Sequence, residues 1–213
     1  MKHIVCFGDS NTWGYTPGTG VRYPADVRWT GVLQNALGGE YRVIEDGMNA
    51  RTSVYPDPWS PWRLGADALP VSLIAQKPLD LLILSLGTND LKFTDAFGAA
   101  KGAEALISLA RTVQNRPESS LVFPHGLKVL LVSPIEIHEC VAQNEFSTLR
   151  GGAAESRRFA KYFSHVAKEQ GVAFFDAATA AKPSLVDGIH MEPADHRALG
   201  VALADCVRRI LQD

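Results

Sequence analysis

The sequence has few cysteines and no pattern that would organise them. The three cysteines, Cys6, Cys140 and Cys206, form no C-x-x-C or C-x-x-H pair. We therefore expect neither a disulfide framework nor a structural zinc site, and reduced thiols fit a cytoplasmic protein. Cys6 lies within an apolar run, which predicts that it fills space in a core.

Long apolar stretches and a strong charge imbalance are missing as well. No run approaches the roughly 18 apolar residues of a membrane span, and no stretch resembling a secretory signal precedes the first predicted strand. The formal net charge of −2 gives no electrostatic reason to expect nucleic acid or a membrane as a partner. Repeats and low-complexity segments are also missing. At 213 residues, the chain is predicted to form one domain, 1–213.

Short apolar runs alternate with amphipathic segments along the whole chain. The predicted strands cover residues 3–7, 41–45, 79–86, 127–132 and 172–175. The first predicted helix is capped by Asp26 and ends at residue 37, and the other predicted helices cover 66–76, 95–114, 153–170 and 193–211. Alternation of this kind predicts an α/β three-layer sandwich, with a five-stranded parallel sheet covered by helices on both faces. The strand order 2-1-3-4-5 would put the first strand at the switch point, and the pattern allows this order without proving it.

Polar turns follow three of the predicted strands, and a fourth lies near the end of the sequence. They are Gly8-Asp9-Ser10, residues 47–50, Gly87-Thr88-Asn89-Asp90 and Asp187-Gly188-Ile189-His190. The first three should meet at the carboxyl edge of the sheet, where open α/β sheets bind ligands. Together the four turns offer a hydroxyl, an imidazole, a carboxylate, an amide and backbone N–H groups, which are the groups that acyl transfer needs.

Each turn also has a purely structural interpretation. Ser10 could cap the next helix, and Gly87-Thr88-Asn89-Asp90 could simply end a strand. Asp187 and His190 could be a helix cap and a surface histidine. All four turns in this order favour the functional interpretation.

The four blocks resemble those of the SGNH hydrolases, also called GDSL esterases, in order and in spacing. The stretches Asp26-Val27-Arg28-Trp29-Thr30-Gly31 and Asn49-Ala50-Arg51-Thr52 are similar to the bacterial arylesterase and acyltransferase branch of that family. The resemblance implies a flavodoxin-like SGNH hydrolase fold and a serine esterase that acts on small carboxylic esters through an acyl-enzyme. Acetyl or aryl esters are the expected substrates, with acyltransferase or perhydrolase activity as a related option. The resemblance further implies a homo-oligomer, no cofactor and no metal.

The resemblance also assigns roles to individual residues. It makes Ser10 the nucleophile, His190 the general base and Asp187 the residue that orients it. The oxyanion donors would be the backbone N–H groups of Ser10 and Ala50 and the side-chain amide of Asn89. The family usually has glycine where Ala50 stands, so its methyl group could narrow the acyl pocket. The family commonly has leucine where Asn11 stands, so the resemblance does not predict how the residues around Asn11 pack.

Several residues stay ambiguous. Asp9 is expected to hold its turn through backbone hydrogen bonds, and Arg51 could pair with an acid or contact substrate. The loop 55–62, rich in proline and tryptophan, could be a substrate wall or a subunit contact, and Trp13, Trp59 and Trp62 are candidates for an aromatic access route. His3, His125, His138, His165 and His196 show no metal-ligand spacing and are expected at the surface or satisfied in the structure.

Two alternatives remain for the function. A carbohydrate acetylesterase, a lysophospholipase or a thioesterase of the same family would use the same groups. A catalytically idle member would instead bind an acylated ligand.

Overall fold

A single parallel sheet forms the centre of the structure, which is a computed structural model describing residues 1–116, 121–145 and 147–212. Its strands are β1 (Lys2–Gly8), β2 (Tyr41–Gly47), β3 (Leu81–Ser85), β4 (Val129–Ser133) and β5 (Ala173–Asp176). All neighbouring strands run parallel, in the order β2-β1-β3-β4-β5. The predicted α/β architecture and strand order are confirmed.

Along the sequence, helices connect the successive strands, and one further helix follows the last strand. They are α1 (Ser10–Trp13), α2 (Trp29–Leu37), α3 (Gly65–Gln76), α4 (Ala96–Gln114), α5 (Gly152–Ser156), α6 (Phe159–Gln170) and α7 (Pro193–Gln212). Short 3-10 turns occupy Pro61–Arg63, Asn89–Lys92, Glu139–Gln143 and Ala177–Thr179. Within the described ranges, none of the helices combines the length and the apolar character that crossing a bilayer requires.

The two faces of the sheet carry separate cores because side chains alternate along each strand. Val5 and Phe7 of β1 pack with α3, α4 and α6 on one face. Ile4 and Cys6 pack with α2 and α7 on the other. Cys6 is 0% exposed, which confirms its prediction as core filling.

The predicted helix 153–170 is two helices, α5 and α6. The hydroxyl of Ser156, the last residue of α5, donates to Ala153 O at 2.9 Å and accepts from the N–H of Ile137 at 2.8 Å. Serine hydroxyls that bond to the backbone compete with continuous helix. The break therefore depends on a contact with Ile137, which helical periodicity does not reveal.

The start of α2 also differs from the prediction. Arg28 occupies the N-cap and makes no side-chain cap bond, so Asp26 is not the cap. The N–H of Trp29 instead donates to Nδ1 of His196 in α7, at 3.2 Å. A residue from a distant helix thus satisfies a donor that the sequence pattern assigned to a local cap.

Candidate functional site

Ser10 lies directly beyond the carboxyl end of β1. The strand order reverses at this point, because β2 lies on one side of β1 and β3 lies on the other. Asp9 caps the short helix α1, and its Oδ1 accepts from the N–H of Asn11 at 3.0 Å. A Cβ on Gly8 would lie 2.0 Å from Oγ1 of Thr12 and 2.9 Å from Ser85 O. The turn therefore requires glycine before Asp9, and it presents Ser10 at the switch point of the sheet.

Ser10, His190 and Asp187 form a hydrogen-bonded row. Nε2 of His190 lies 2.9 Å from Oγ of Ser10, and Nδ1 of His190 lies 2.7 Å from Oδ2 of Asp187. Oδ1 of Asp187 accepts from the N–H groups of Ile189 and His190, both at 3.0 Å. The serine and histidine come from opposite ends of the chain, so the fold brings together the residues that the sequence predicted as one group.

The protonation of Asp187 follows from its surroundings. Burial raises its pKa, but hydrogen bonds from the His190 ring and from the N–H groups of His190 and Ile189 outweigh burial and hold the pKa below its ordinary value. Asp187 is therefore anionic at neutral pH. An anionic acceptor favours the proton on Nδ1 of His190, which leaves Nε2 as the acceptor that faces the Ser10 hydroxyl.

Two further residues hold the imidazole, and the sequence did not point to either role. The ring of Tyr15 stacks on that of His190, with centroids 4.1 Å apart and an interplanar angle of 25°. Nδ2 of Asn11 donates to Ile189 O at 3.2 Å, and Oδ1 of Asn11 accepts from the N–H of Met191 at 3.1 Å. Asn11 thereby ties the Ser10 turn to the chain on both sides of His190.

A cavity of about 300 Å³ lies beside this row. It is lined by Ser10, Tyr15, Asn49, Ala50, Asn89, Lys92, Ser147, Thr148, Leu149, Ile189 and His190. All five predicted site residues except Asp187 line it, and Asp187 lies behind His190. Among the described residues, no acceptor is found for the backbone N–H groups of Ser10 and Ala50 or for the Asn89 amide.

Ala50 adopts a backbone conformation that favours glycine, with φ of 62°. An alanine in the left-handed region costs about 1–2 kcal/mol relative to ordinary backbone. The turn keeps this conformation because the side chain of Arg51 holds it. Nη1 of Arg51 donates to Gly8 O at 3.1 Å and to Asp46 O at 2.7 Å, and Nη2 donates to Oδ1 of Asp46 at 2.9 Å. Arg51 is thus the partner of an acid, one of its two predicted roles.

Two buried carboxyl groups lie near the row. Burial raises the pKa of Asp9 to about 6, although the Asn11 N–H and the charges of His190, Arg51 and Lys92 oppose the rise. Burial likewise raises the pKa of Asp90 to about 7, against hydrogen bonds from the hydroxyl and N–H of Ser53. The Asp9–Asn11 bond agrees with the predicted structural role of Asp9.

None of the predicted tryptophans lines the cavity beside Ser10. Trp59 is 82% exposed and Trp62 is 65% exposed. Trp13 lies under the guanidinium group of Arg22, whose carbon is 5.0 Å from the ring centroid. The aromatic ring that borders the cavity is that of Tyr15.

His196 is fully buried, and burial lowers its pKa to about 4. Its Nδ1 accepts from Trp29, whereas Nε2 has no partner among the described residues. Over the same part of the chain, no three His, Cys, Asp or Glu side chains are grouped so as to hold a metal ion.

Known proteins resemble the chain over its whole length. Residues 6–198 match the sequence model of the GDSL-like Lipase/Acylhydrolase family. The aryl esterase of M. smegmatis is 38% identical, with a TM-score of 0.89 and coverage of 99% of this chain and 100% of that one. A carbohydrate acetylesterase family member from Sinorhizobium meliloti is 36% identical, with a TM-score of 0.92 and coverage of 100% of both chains.

A second Sinorhizobium meliloti protein, the carbohydrate acetylesterase Est24, is 32% identical, with a TM-score of 0.91 and coverage of 98% of this chain and 99% of that one. A comparison with curated protein sequences finds no match. Since the family match covers most of the sequence and the fold agrees with that of the esterases, the chain belongs to the GDSL-like lipase/acylhydrolase family of ester hydrolases.

Proposed function

We propose that the protein is a serine esterase that hydrolyses small carboxylic esters, with Ser10, His190 and Asp187 as its catalytic triad. The observation that carries the proposal is the hydrogen-bonded row of these residues beside a cavity that three N–H donors line. A nucleophile, a base, an orienting carboxylate and an oxyanion site are the four parts that acyl transfer through a serine requires.

The first half of the reaction forms an acyl-enzyme. Oγ of Ser10 attacks the carbonyl carbon of the ester, and its proton passes to Nε2 of His190. The negative charge on the carbonyl oxygen is met by the N–H groups of Ser10 and Ala50 and by the Asn89 amide. The C–O bond to the alcohol then breaks, and the proton on Nε2 passes to the departing oxygen.

The second half returns the enzyme to its resting state. Water gives a proton to Nε2 of His190 and attacks the acyl carbon, so a second oxyanion forms in the same place. Its collapse breaks the bond between the acyl carbon and Oγ of Ser10, which releases the carboxylic acid, and the proton on Nε2 of His190 returns to Oγ. Asp187 stays anionic throughout and stabilises the imidazolium that forms in each half.

The size of the cavity favours small substrates. A volume of about 300 Å³ is at the lower end of the range of ligand pockets. Two structural relatives are described as an aryl esterase and a carbohydrate acetylesterase. Acetyl or other short acyl esters of aryl or sugar alcohols are therefore the proposed substrate class.

Labelling with a fluorophosphonate and hydrolysis of p-nitrophenyl acetate test the proposal together. We expect Ser10→Ala to abolish labelling and to lower kcat by at least about 10³-fold, because the variant lacks the hydroxyl that faces Nε2 of His190 and carries the acyl group. Ser108→Ala is the matched control, since this hydroxyl lies on the exposed face of α4 and, of the residues that the structure describes, bonds only to Glu104 O.

Far-UV circular dichroism should show both variants folded. A folded wild-type protein that is neither labelled nor active would contradict the esterase proposal and favour an idle member that binds an acylated ligand.

A further inference from the structure

A second, larger cavity adjoins the one beside Ser10. It has a volume of about 820 Å³ and is lined by residues of the loop 57–63, by the end of the 3-10 turn Asn89–Lys92, and by residues 145, 147, 148 and 150. Lys92, Ser147 and Thr148 line both cavities. An ester bound at Ser10 therefore has room for its alcohol part on the far side of Lys92.

Lys92 is held in this position without a partner for its ammonium group. It ends the 3-10 turn that begins with Asn89, and its side chain is half-buried. Within the ranges that the structure describes, no hydrogen bond or ion pair to Nζ is found, although four charged groups act on it from a distance. Burial lowers the pKa of Lys92, and so does the charge of Arg63, whereas the carboxyl groups of Asp57, Asp9 and Asp90 raise it.

The other two cations of the larger cavity each have a protein oxygen as a partner. Nη1 of Arg63 is 3.8 Å from Oδ2 of Asp57, which also accepts from the N–H of Trp59 through Oδ1 at 3.0 Å. Nη1 of Arg150 donates to the backbone carbonyl of Glu145 at 3.3 Å. Three cations and two carboxylates line the cavity, and Lys92 is the cation among them whose charged group contacts no protein acceptor in the described part of the chain.

A half-buried ammonium group without a partner loses hydration that no protein group replaces. We propose that Lys92 binds a carboxylate on the alcohol part of the ester, so that the preferred substrates are short acyl esters of hydroxy acids. The proposal rests on the esterase function and refines its substrate class. It does not extend to a doubly charged group, because a second negative charge would face Asp57 and Glu145.

The rim of the larger cavity suits a ring between the ester and the carboxylate. Trp59 is 82% exposed and Phe93 is 38% exposed, and both line this cavity. Exposed aromatic faces offer apolar contact to a flat ring or to the C–H face of a sugar. Because Lys92 lines both cavities, the carboxylate should lie within one ring of the ester oxygen.

A pair of substrates that differ only in charge tests this proposal. Para-acetoxybenzoate and its methyl ester share the acetyl group and the ring, and only the first carries a carboxylate. We expect the wild-type protein to show the lower KM for the anionic ester, with the preference weakening as salt is added. In Lys92→Met the ratio of kcat/KM for the anionic ester to that for the methyl ester should fall about tenfold, which is the effect of losing one charged hydrogen bond.

Lys161→Met is the matched control, because it removes the same charge from the exposed surface of α6. Lys92→Arg should keep most of the anionic preference. If Lys92→Met does not fold, inhibition of the wild-type enzyme by para-hydroxybenzoate and by its methyl ester gives the same comparison, and the acid should inhibit more strongly at low salt.

Two outcomes would overturn the carboxylate site, and a different one would overturn the esterase function. Equal KM values for the two esters in the wild type, or an unchanged ratio in Lys92→Met, would show that Lys92 serves instead as a counter-charge for Asp9 and Asp90. If the folded wild-type protein hydrolysed neither ester, the proposed esterase function would be contradicted.

Discussion

At the scale of single residues, Asn11 connects the two halves of the proposed triad. Its side-chain amide bonds to Ile189 and Met191, residues up to 180 positions away, and so fixes the chain on both sides of His190. A leucine, which the resembled family commonly has at this position, could make neither bond. The polar departure from the family pattern therefore has a structural purpose in this chain.

We expect Asn11→Leu to lower kcat by about 5- to 100-fold and to change KM little. Two lost hydrogen bonds are worth about 1–3 kcal/mol, and their loss acts on the alignment of His190 rather than on substrate contact. Steady-state kinetics on p-nitrophenyl acetate measure this split. Asn35→Leu on the exposed surface of α2 is the control, and a rise in KM at constant kcat in Asn11→Leu would contradict a positioning role.

The sequence identified some site residues and missed others for a simple reason. Ser10, Asn89 and Asp187 stand in short motifs whose chemistry is visible within a few positions. Tyr15 carries no such motif, and its contact with His190 depends on how the loop after α1 folds over the end of the sheet. Contacts between distant segments of this kind leave no local pattern in one sequence.

At the scale of elements, the turn after β2 depends on Arg51. Arg51 is 5% exposed, and its guanidinium group joins the carboxyl ends of β1 and β2 by bonding to Gly8 and Asp46. The guanidinium carbon lies 4.1 Å from the centroid of the Phe7 ring. The same turn carries the N–H of Ala50. Arg51 thereby couples the stability of the sheet edge to the shape of the proposed oxyanion site.

We expect Arg51→Met to reduce the free energy of unfolding by about 2–4 kcal/mol, because two carbonyl groups and Asp46 lose their donor. Urea unfolding measures the loss. Arg157→Met removes an arginine from an exposed pair with Glu139, and it should stay within about 0.5 kcal/mol of the wild type. Equal midpoints for the wild type and Arg51→Met would show that the turn does not need this side chain.

The elements themselves were largely predictable. All five strands were found because buried parallel strands are continuous apolar runs bounded by turns, although their ends shifted by up to two residues. The division between α5 and α6 was missed because the hydroxyl of Ser156 bonds to Ile137, outside the helix. Periodicity reports which face of a helix is buried and says little about where the helix is interrupted.

At the scale of the whole molecule, the carboxyl ends of the strands surround two acidic groups that water does not reach. Asp9 is 4% exposed and Asp90 is 0% exposed. Burial raises the pKa of both, the charge of Asp9 raises the pKa of Asp90 further, and the charge of Lys92 lowers the pKa of both. Both oxygens of Asp90 accept from Ser53, Oδ1 from the N–H at 2.7 Å and Oδ2 from the hydroxyl at 2.6 Å. The proposed catalytic edge therefore contains two carboxyl groups whose ionised forms are disfavoured by burial.

This cost gives the stability of the protein a defined dependence on pH. The pKa of Asp90 is about 7 in the folded chain, against 3.8 for the free side chain, so the folded protein binds more protons than the unfolded one between these values. The contribution of Asp90 to the free energy of unfolding must then fall as pH rises through this window and stay low above it. Each pKa unit corresponds to about 1.4 kcal/mol, so the total is a few kcal/mol.

Asp90→Asn should remove this dependence while keeping the shape of the site, since an amide can accept from the Ser53 N–H and donate to its hydroxyl. We expect the stability of the variant relative to the wild type to increase from pH 5 to pH 8, as measured by urea unfolding at each pH. Asp205→Asn, in an exposed pair with Arg208 at the surface of α7, should show no such trend. A constant difference between Asp90→Asn and the wild type across this range would mean that Asp90 titrates near its ordinary value, and that the buried edge of the sheet tolerates its charge through Ser53 and Lys92.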